Sequence, residues 1–449
     1  MKNRIGIRLE DKNDWERRVP LIPDDVRDLI AKGIKIEVQR FARRAFPDEA
    51  YDAAGAKLVD DVLPCEIVMG IKEMPAEYFR PDGAYMFFSH TIKGQSYNMK
   101  MLASLVVRRC TLFDFELVTD DQGKRMIFAG RFAGLAGMID TLWTVGQRLK
   151  VLGHDTPFAD IKQAYHYEDL EATKAAISEV GKRIAAEGVP EAFAPMTFGF
   201  TGYGNVSSGA QEIFDLLPHV EVAPGELQQF VERNGSLRNK LAKTVYYEKD
   251  LVTRTDDSKP FDLQEYYDHP EHYHSAFEPH LKLLSVLVNG IYWEPRYPRL
   301  ADERQLRKLF SGEQQPRLIV IGDITCDVDG SLACTVRDTE SGDPVFVYDP
   351  LTREAPYGFE GPGLAVMAVG NLPCELPRET CVPFSQALKP FIPALAAVDL
   401  DASFEEAALP GPIRRSAILW RGEFTPTFRY MRDFLGGSYA STEEEGNKE

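Results

Sequence analysis

An α/β fold built on open, largely parallel sheets is what this 449-residue chain predicts. Three observations carry it. Short apolar runs bounded by turn residues alternate with stretches of helical length and pattern from the N-terminus onward. A second series of apolar runs follows, beginning at "MTFGFT". A glycine-rich turn joins the first run of that series to a helix. The length suffices for two or three domains, each with its own core.

The elements follow in order. "RIGIRLE" reads as a strand, "PDDVRDLIAKG" as a helix with Asp24 or Asp25 at its start and Gly33 as its stop. "IKIEVQR" is a strand, "PDEAYDAAGAKLVDD" a helix and "EIVMGIK" a strand. Beyond "RPDGA" come the strand "YMFFSH", the helix "SYNMKMLASLVVRR", the strand "TLFDFEL" and a hairpin-like turn, "TDDQGKR". "RFAGLAGMIDTLWTVGQRLKVLG" is a helix rich in small residues, suited to a packed linker between domains. "LEATKAAISEVGKRIAAEG" is amphipathic, and "MTFGFTGYGNVSSGAQEIFDLL" is strand, turn and helix. "NGIYW", "RLIVIGDITCD", "PVFVYD" and "GLAVMAVGNLP" add strands of a second sheet. "FSQALKPFIPALAAV" is a C-terminal helix, and "STEEEGNKE" a polar tail expected to be disordered.

Composition narrows the function classes. The formal charge of −17 repels phosphate backbones and anionic membrane surfaces, so neither nucleic acid nor membrane is an expected partner. No apolar stretch reads as a membrane span, and the N-terminus is too polar for a signal peptide, which makes a cytoplasmic protein the expectation. None of the six cysteines forms a C-x-x-C, so they read as buried free thiols.

Ligands of open parallel sheets collect outside the carboxyl ends of the strands. Lys72 and His90 each sit at the end of an apolar run, "IVMGIK" and "YMFFSH". Two such strands side by side would deliver a proton-transfer pair to one site; strand-end accidents are the alternative. Gly202, Gly204 and Gly209 lie between a strand and a helix, as a dinucleotide-binding turn requires. Ser207 stands where the third glycine of G-x-G-x-x-G belongs, and an ordinary strand–helix turn is the other reading. The next strand, "HVEVAP", ends without the acid that holds an adenosine ribose, which leans towards NADP over NAD, with Arg233 and Arg238 downstream for a 2′-phosphate. Arg18 in "ERRVPLIP" and Arg125 in "QGKRMIF" are of a type suited to carboxylates, though most arginines are solvated surface. Asp323 and Asp327 follow an apolar strand, where capping a turn is the commoner role. His269, His272 and His274 match no zinc signature, and no metal is expected.

Taken together, "EDKNDWERRVPLIP", "GIKEMP", "FFSHTIKGQ", "GRFAGLAGMID", "FTGYGNVSSGAQEIF", "NGIYWEPRYPRL", "GDITCDVDGS" and "NLPCELPRE" resemble the lysine–ketoglutarate reductase portion of the aminoadipic semialdehyde synthases. More distantly they resemble lysine-forming saccharopine dehydrogenases and alanine dehydrogenase. The resemblance implies two Rossmann-like domains with an active-site cleft between them: residues 1–130 plus about 376–449 for substrate, and 131–375 for the dinucleotide. It implies condensation of the lysine ε-amine with 2-oxoglutarate and reduction by NADP(H) to give saccharopine in lysine degradation, NAD(H) being the alternative cofactor. By position it makes Lys72 and His90 the acid–base pair, and Arg18, Lys93 and Arg125 the substrate-binding cations. Gly202, Gly204, Asn205, Val206 and Ser207 become the dinucleotide turn, and Asp327 the aspartate near the nicotinamide. The bifunctional synthases continue into a saccharopine-cleaving domain, so a separate saccharopine-cleaving dehydrogenase is an expected partner. Two alternatives stay open: a related amino-acid dehydrogenase or opine-type reductase with another amine or keto acid, and a catalytically silent cofactor-binding regulatory subunit.

Overall fold

The computed structural model describes residues 3–256, 259–312 and 316–436; the polar stretch "STEEEGNKE" lies outside them. The chain divides into two compact units, Met1–Ala129 with Pro377–Glu449, and Gly130–Leu376.

The first unit carries strands β1 (Arg4–Ile7), β2 (Lys35–Gln39), β3 (Lys57–Val59), β4 (Ile67–Met69), β5 (Ala84–Phe87) and β6 (Thr111–Asp114). They lie parallel in the order β3-β2-β1-β4-β5-β6, and the antiparallel strands Ala417–Trp420 and Glu423–Phe424 extend the sheet beyond β6. The direction of strand succession reverses between β1 and β4, which makes that gap the topological switch point. Both faces are covered, which is why the strands read as unbroken apolar runs. Ile5, Ile7, Ile67, Met69 and Met86 face one core; Val68, Tyr85, Phe87 and Leu112 face the other.

Three local readings change in this unit. The expected helix over "PDEAYDAAGAKLVDD" stops at Ala53, because the chain turns at Gly55 and pairs "KLV" with β2 as an edge strand. The helix over "FSQALKPFIPALAAV" begins earlier, at Pro377, and breaks into three pieces near Lys389–Phe391, where prolines remove backbone donors. The strand Ala417–Trp420 was not foreseen; its "AILW" is a run of only four residues that directly follows the short helix Gly411–Ser416.

The second unit contains β7 (Thr197–Thr201), β8 (His219–Glu221), β9 (Leu241–Tyr246), β10 (Val286–Asn289), β11 (Val320–Asp323), β12 (Val345–Tyr348) and β13 (Leu364–Met367). The order is β8-β9-β7-β10-β11-β13-β12, parallel throughout except for the β12–β13 pair. Here too the side chains alternate between two cores, with Phe198, Phe200 and Val288 on one face and Leu287, Ile321 and Val366 on the other. The helix Gly130–Val151 is no linker: fifteen of its residues are buried, and it belongs to the core of this unit. Of "NGIYW" only Asn289 is in a strand, as the last residue of β10; "GIYW" is the loop that follows.

Candidate active site

In the first unit, β1, β4, β5 and β6 end along one edge of the sheet, and the chain leaving each supplies a polar group. Beyond β1, Glu10 is buried and spans the switch point: its Oε1 accepts from Ile71 N at 2.6 Å and its Oε2 from Lys72 N at 3.1 Å. Burial and the charge of Glu16 push its carboxyl up to about 8. The turn after β4 thereby presents Lys72 and Glu73 side by side.

Beyond β5 the chain bends sharply, with His90 at φ +47°, and brings its Nδ1 to 2.7 Å from Glu73 Oε1. Glu73 also takes Lys12 Nζ on Oε2 at 2.6 Å and Asn98 Nδ2 on Oε1 at 3.2 Å. Burial alone would push the Glu73 carboxyl up, but the hydrogen bonds and charges of His90 and Lys12 outweigh it and hold the group well below the usual carboxylate range. A carboxylate only accepts, so His90 Nδ1 carries a proton and Nε2 is the nitrogen available for exchange. Asn98, from the helix Ser96–Val107, also donates to the carbonyls of Ser89 and His90, at 3.0 and 3.3 Å. Asp114, at the end of β6, accepts from Ser89 N and Oγ at 3.0 and 2.5 Å. The His90 ring is thus fixed in position while remaining 31% exposed.

The loop after β1 brings in a third pair. Glu16 is fully buried, and Arg18, 7% exposed, gives it Nε at 2.8 Å and one Nη at 2.6 Å. Asn13 Oδ1 accepts from the amides of Trp15 and Glu16, a local turn that sets Glu16 inward. Val19 N donating to Cys381 Sγ and Ile22 N to Ser385 Oγ tie the loop to the helix Pro377–Leu388. Lys72 feels this pair: burial and the Arg18 charge lower its pKa, against the opposing pull of Glu16 and Glu73.

Lys72, His90 and Arg18 are therefore gathered into one electrostatic cluster. Lys93 is exposed on the turn beyond His90, and Arg125 stands on the hairpin closed by Thr119 and Arg125, ion-paired with Glu116 and donating Nε to its carbonyl at 3.1 Å. The carboxylates that organise the cluster, Glu10, Glu16 and Glu73, went unread in the sequence. Their only signal was adjacency: "KE" at Lys72 and "ERR" at Arg18.

In the second unit the glycine turn leaves β7 with Gly202 at φ +81°, a conformation open to glycine, and Gly204 at the N-cap of the helix Asn205–Phe214. A Cβ on Gly202 would lie 3.1 Å from Ile291 Cγ2, so the turn closely faces the loop after β10. Ser207 is buried and accepts from Gln211 Nε2 at 3.1 Å. The missing third glycine has its role filled elsewhere: a Cβ on Gly209 would meet Arg131 O at 2.2 Å, and one on Gly134 would meet Val206 O at 1.9 Å. These two glycines let the helices Gly130–Val151 and Asn205–Phe214 touch backbone to backbone. Thr201, Asn289 and Asp323 then join the ends of β7, β10 and β11 by hydrogen bonds of 2.8 and 2.9 Å. Asp327 lies on the exposed turn beyond, its carbonyl accepting from Gly330 N at 2.9 Å.

The sequence reading took "HVEVAP" as the strand next to the glycine turn, and the strand order differs. The strand beside β7 is β9, whereas "HVEV" forms the edge strand β8, because β9 inserts between them. The chain leaving β9 runs through Tyr247 into Glu248, an acid two residues past the strand beside the glycine turn. Arg238 donates Nε to Val189 O at 2.7 Å, and Arg233 is exposed at the end of the helix Leu227–Arg233. Glu248 accepts from Tyr267 Oη at 2.8 Å and borders a cavity of about 270 Å³ that also involves Gly202, Tyr266, Ile291 and Tyr297. His269 and His272 pair with Glu271 and Glu265, and among the described residues no group of three His, Cys, Asp or Glu side chains could hold a metal ion.

The alanine dehydrogenase/PNT N-terminal domain family model matches residues 6–136. Over 95% of its length the chain is 39% identical to the alpha-aminoadipic semialdehyde synthase of Arabidopsis thaliana and 34% identical to the mitochondrial one of Bos taurus. Over nearly all of its length the chain is therefore similar to a part of the aminoadipic semialdehyde synthases. It spans 41% and 47% of the length of those two relatives. A saccharopine dehydrogenase (NAD(+), L-lysine-forming) of Emericella nidulans is 25% identical, covering 86% of this chain and 91% of its own. Among solved structures, an L-alanine dehydrogenase aligns with TM-score 0.60 at 17% identity, covering 96% of this chain and all of its own. A transhydrogenase from Sinorhizobium meliloti aligns with TM-score 0.54 at 15% identity, covering 94% of this chain and all of its own. Both share the fold: α/β, with Rossmann-like domains.

Proposed function

We propose that this chain is a saccharopine-forming oxidoreductase, condensing the ε-amine of L-lysine with the ketone of 2-oxoglutarate and reducing the product with a nicotinamide dinucleotide. The observation that carries the reading is the joining of His90 and Lys72, through Glu73, Glu16 and Arg18, at the carboxyl edge of a sheet whose order reverses there. The names of the relatives, a semialdehyde synthase and a lysine-forming saccharopine dehydrogenase, support the substrate pair.

The residues suit the demands of that reaction. Condensation needs a neutral amine, proton transfers at the carbinolamine and departure of water. Lys72, whose proton is loosened by burial and by Arg18, is the group to accept a proton from the incoming ammonium or pass it on. His90 Nε2 exchanges the proton at the carbinolamine oxygen, its ring held by Glu73 and its backbone by Asn98, so little reorientation is needed. Lys93, exposed on the next turn, supplies a cation for a substrate carboxylate, and Arg18 acts on the charge of Lys72. The residues of the second unit fit a dinucleotide: Gly202 to Ser207 for the pyrophosphate at a helix N-terminus, and the Glu248 cavity for the adenosine. When bound, the nicotinamide supplies the hydride that reduces the imine.

The test is loss of reduced-nicotinamide absorbance with purified protein, lysine and 2-oxoglutarate. Oxidation that requires both substrates supports the reading. Oxidation that proceeds with ammonia in place of lysine, or none with any amine, would sink it.

A further inference from the structure

We infer that Asp114 is a positioning residue for the proton-transfer pair: through Ser89 its carboxylate holds the bend that carries His90, so that turnover requires Asp114 to stay ionised. The inference rests on the proposed reaction, with His90 as its acid–base group.

The sheet itself brings Asp114 to this place. β5 and β6 run parallel with Phe87 in register with Asp114, and both strands end there. Past that point a side chain takes over from the ladder: Asp114 Oδ2 accepts from Ser89 N at 3.0 Å and from Ser89 Oγ at 2.5 Å. The hydroxyl gives its one proton to Asp114 and therefore accepts from Thr91 Oγ1, 2.8 Å away. Asn98 grips the other side of the same residue, donating to Ser89 O at 3.0 Å. The amide, hydroxyl and carbonyl of Ser89 are thus all bound, two of them by one carboxylate oxygen. His90 follows at φ +47°, where a non-glycine residue stays only if its surroundings hold it. Ser89, Thr91 and Asp114 are at most 1% exposed, so a bond lost here is not made good by bulk water.

The charge state of Asp114 decides whether that grip holds. Burial, with the charge of Glu116, pushes its carboxyl up to about 6, against the hydrogen bonds from Ser89 and from Glu116 N, the last at 2.7 Å on Oδ1. Glu116 is itself ion-paired with Arg125. The elements packed against β6 bring no cation to offset this. β5 carries only Tyr85 among titratable groups, its hydroxyl accepting from Arg80 N, and the strand Ala417–Trp420 carries none. On the helix Gly411–Ser416, Arg414 donates to the carbonyls of Phe404 and Ala407, and Arg415 to that of Thr119. Ionised, Oδ2 accepts both donors of Ser89; a proton bound there displaces at least one of them and loosens the bend. Activity held through Asp114 is therefore present above about pH 6 and lost as pH falls through it.

The experiment follows kcat, KM and dinucleotide binding of the full chain across the acid and neutral pH range for wild type, Asp114→Asn and Ser89→Ala, with thermal melts as a check of folding. Asp114→Asn keeps one acceptor oxygen and cannot titrate. Its kcat should fall on the order of 10²-fold at neutral pH, with KM for both substrates and dinucleotide affinity within about threefold of wild type. Its acid limb should be shallower than that of wild type by one proton. Ser89→Ala keeps the amide donor but removes a hydrogen bond that favours the charged carboxylate, so a smaller loss of kcat should come with an acid limb moved to higher pH. An acid limb that neither substitution moves in folded protein overturns the inference and leaves the proposed reaction standing. A loss in Asp114→Asn that appears in dinucleotide affinity rather than kcat does the same. Wild type that turns over at no pH overturns the reaction and the inference with it.

Discussion

Glu16→Gln tests the electrostatic reading of the first unit most directly. The carboxylate is fully buried and meets the Arg18 guanidinium, itself 7% exposed, through two hydrogen bonds. Removing one partner of such a pair leaves a buried charge that its neighbours must hold, at a cost of about 3–5 kcal/mol. For a unit of about 200 residues, each kcal/mol moves Tm by roughly 2–4 °C, so the melt should fall by roughly 6–20 °C. Differential scanning calorimetry reads the Tm, and urea titration reads the midpoint. Replacing both partners by apolar residues, Glu16→Leu with Arg18→Met, should cost far less than Glu16→Gln alone, because no charge is then stranded. The substitution also removes a charge that raises the pKa of Lys72, so the acid limb of the pH–rate profile should move to lower pH in Glu16→Gln. A Tm within about 2 °C of wild type, or a double variant less stable than the single one, would refute the account of Arg18 as a cation balanced by Glu16.

Three further outcomes are expected. Lys72→Ala and His90→Ala should each lower kcat by about 10²–10⁴ in the condensation assay while dinucleotide binding stays at the wild-type level. Gly209→Ala should destabilise the second unit by at least about 1–3 kcal/mol in urea unfolding, since its methyl group would lie 2.2 Å from Arg131 O and force two helices apart. Asp140, driven up to about 7 by burial, and Glu375, driven up by burial and by Asp140, form a buried carboxyl pair. The folded state there holds protons that the unfolded chain releases near pH 4, so stability is greatest below that and is lost as pH rises towards about 7. Asp140→Asn should remove much of that decline when melting is followed from pH 4 to pH 8.

Much of this was legible in the sequence because it is local. Parallel strands buried on both faces must be short apolar runs, so β1, β2, β4 to β7 and β11 to β13 stand out against the polar turns around them. Glycine between a strand and a helix marks the turn at Gly202 for the same reason: backbone conformation is decided by the residue itself. Lys72 and His90 were visible because an ionisable residue ending an apolar run is conspicuous in one dimension.

Strand order is not local, and it decided the rest. That β9 rather than β8 neighbours β7 depends on which pairing buries more surface across the whole sheet, and it puts Glu248 rather than "HVEVAP" past the strand beside the glycine turn. Ser207 in place of a glycine is explained by Gly209 and Gly134, each of which lies against the backbone of the other's helix, two elements far apart in the chain. In the same way Glu10, Glu16 and Glu73 look like ordinary surface acids in sequence. They become the organising charges of the site because the fold takes them out of water, where each must find a hydrogen-bonded partner or hold its proton.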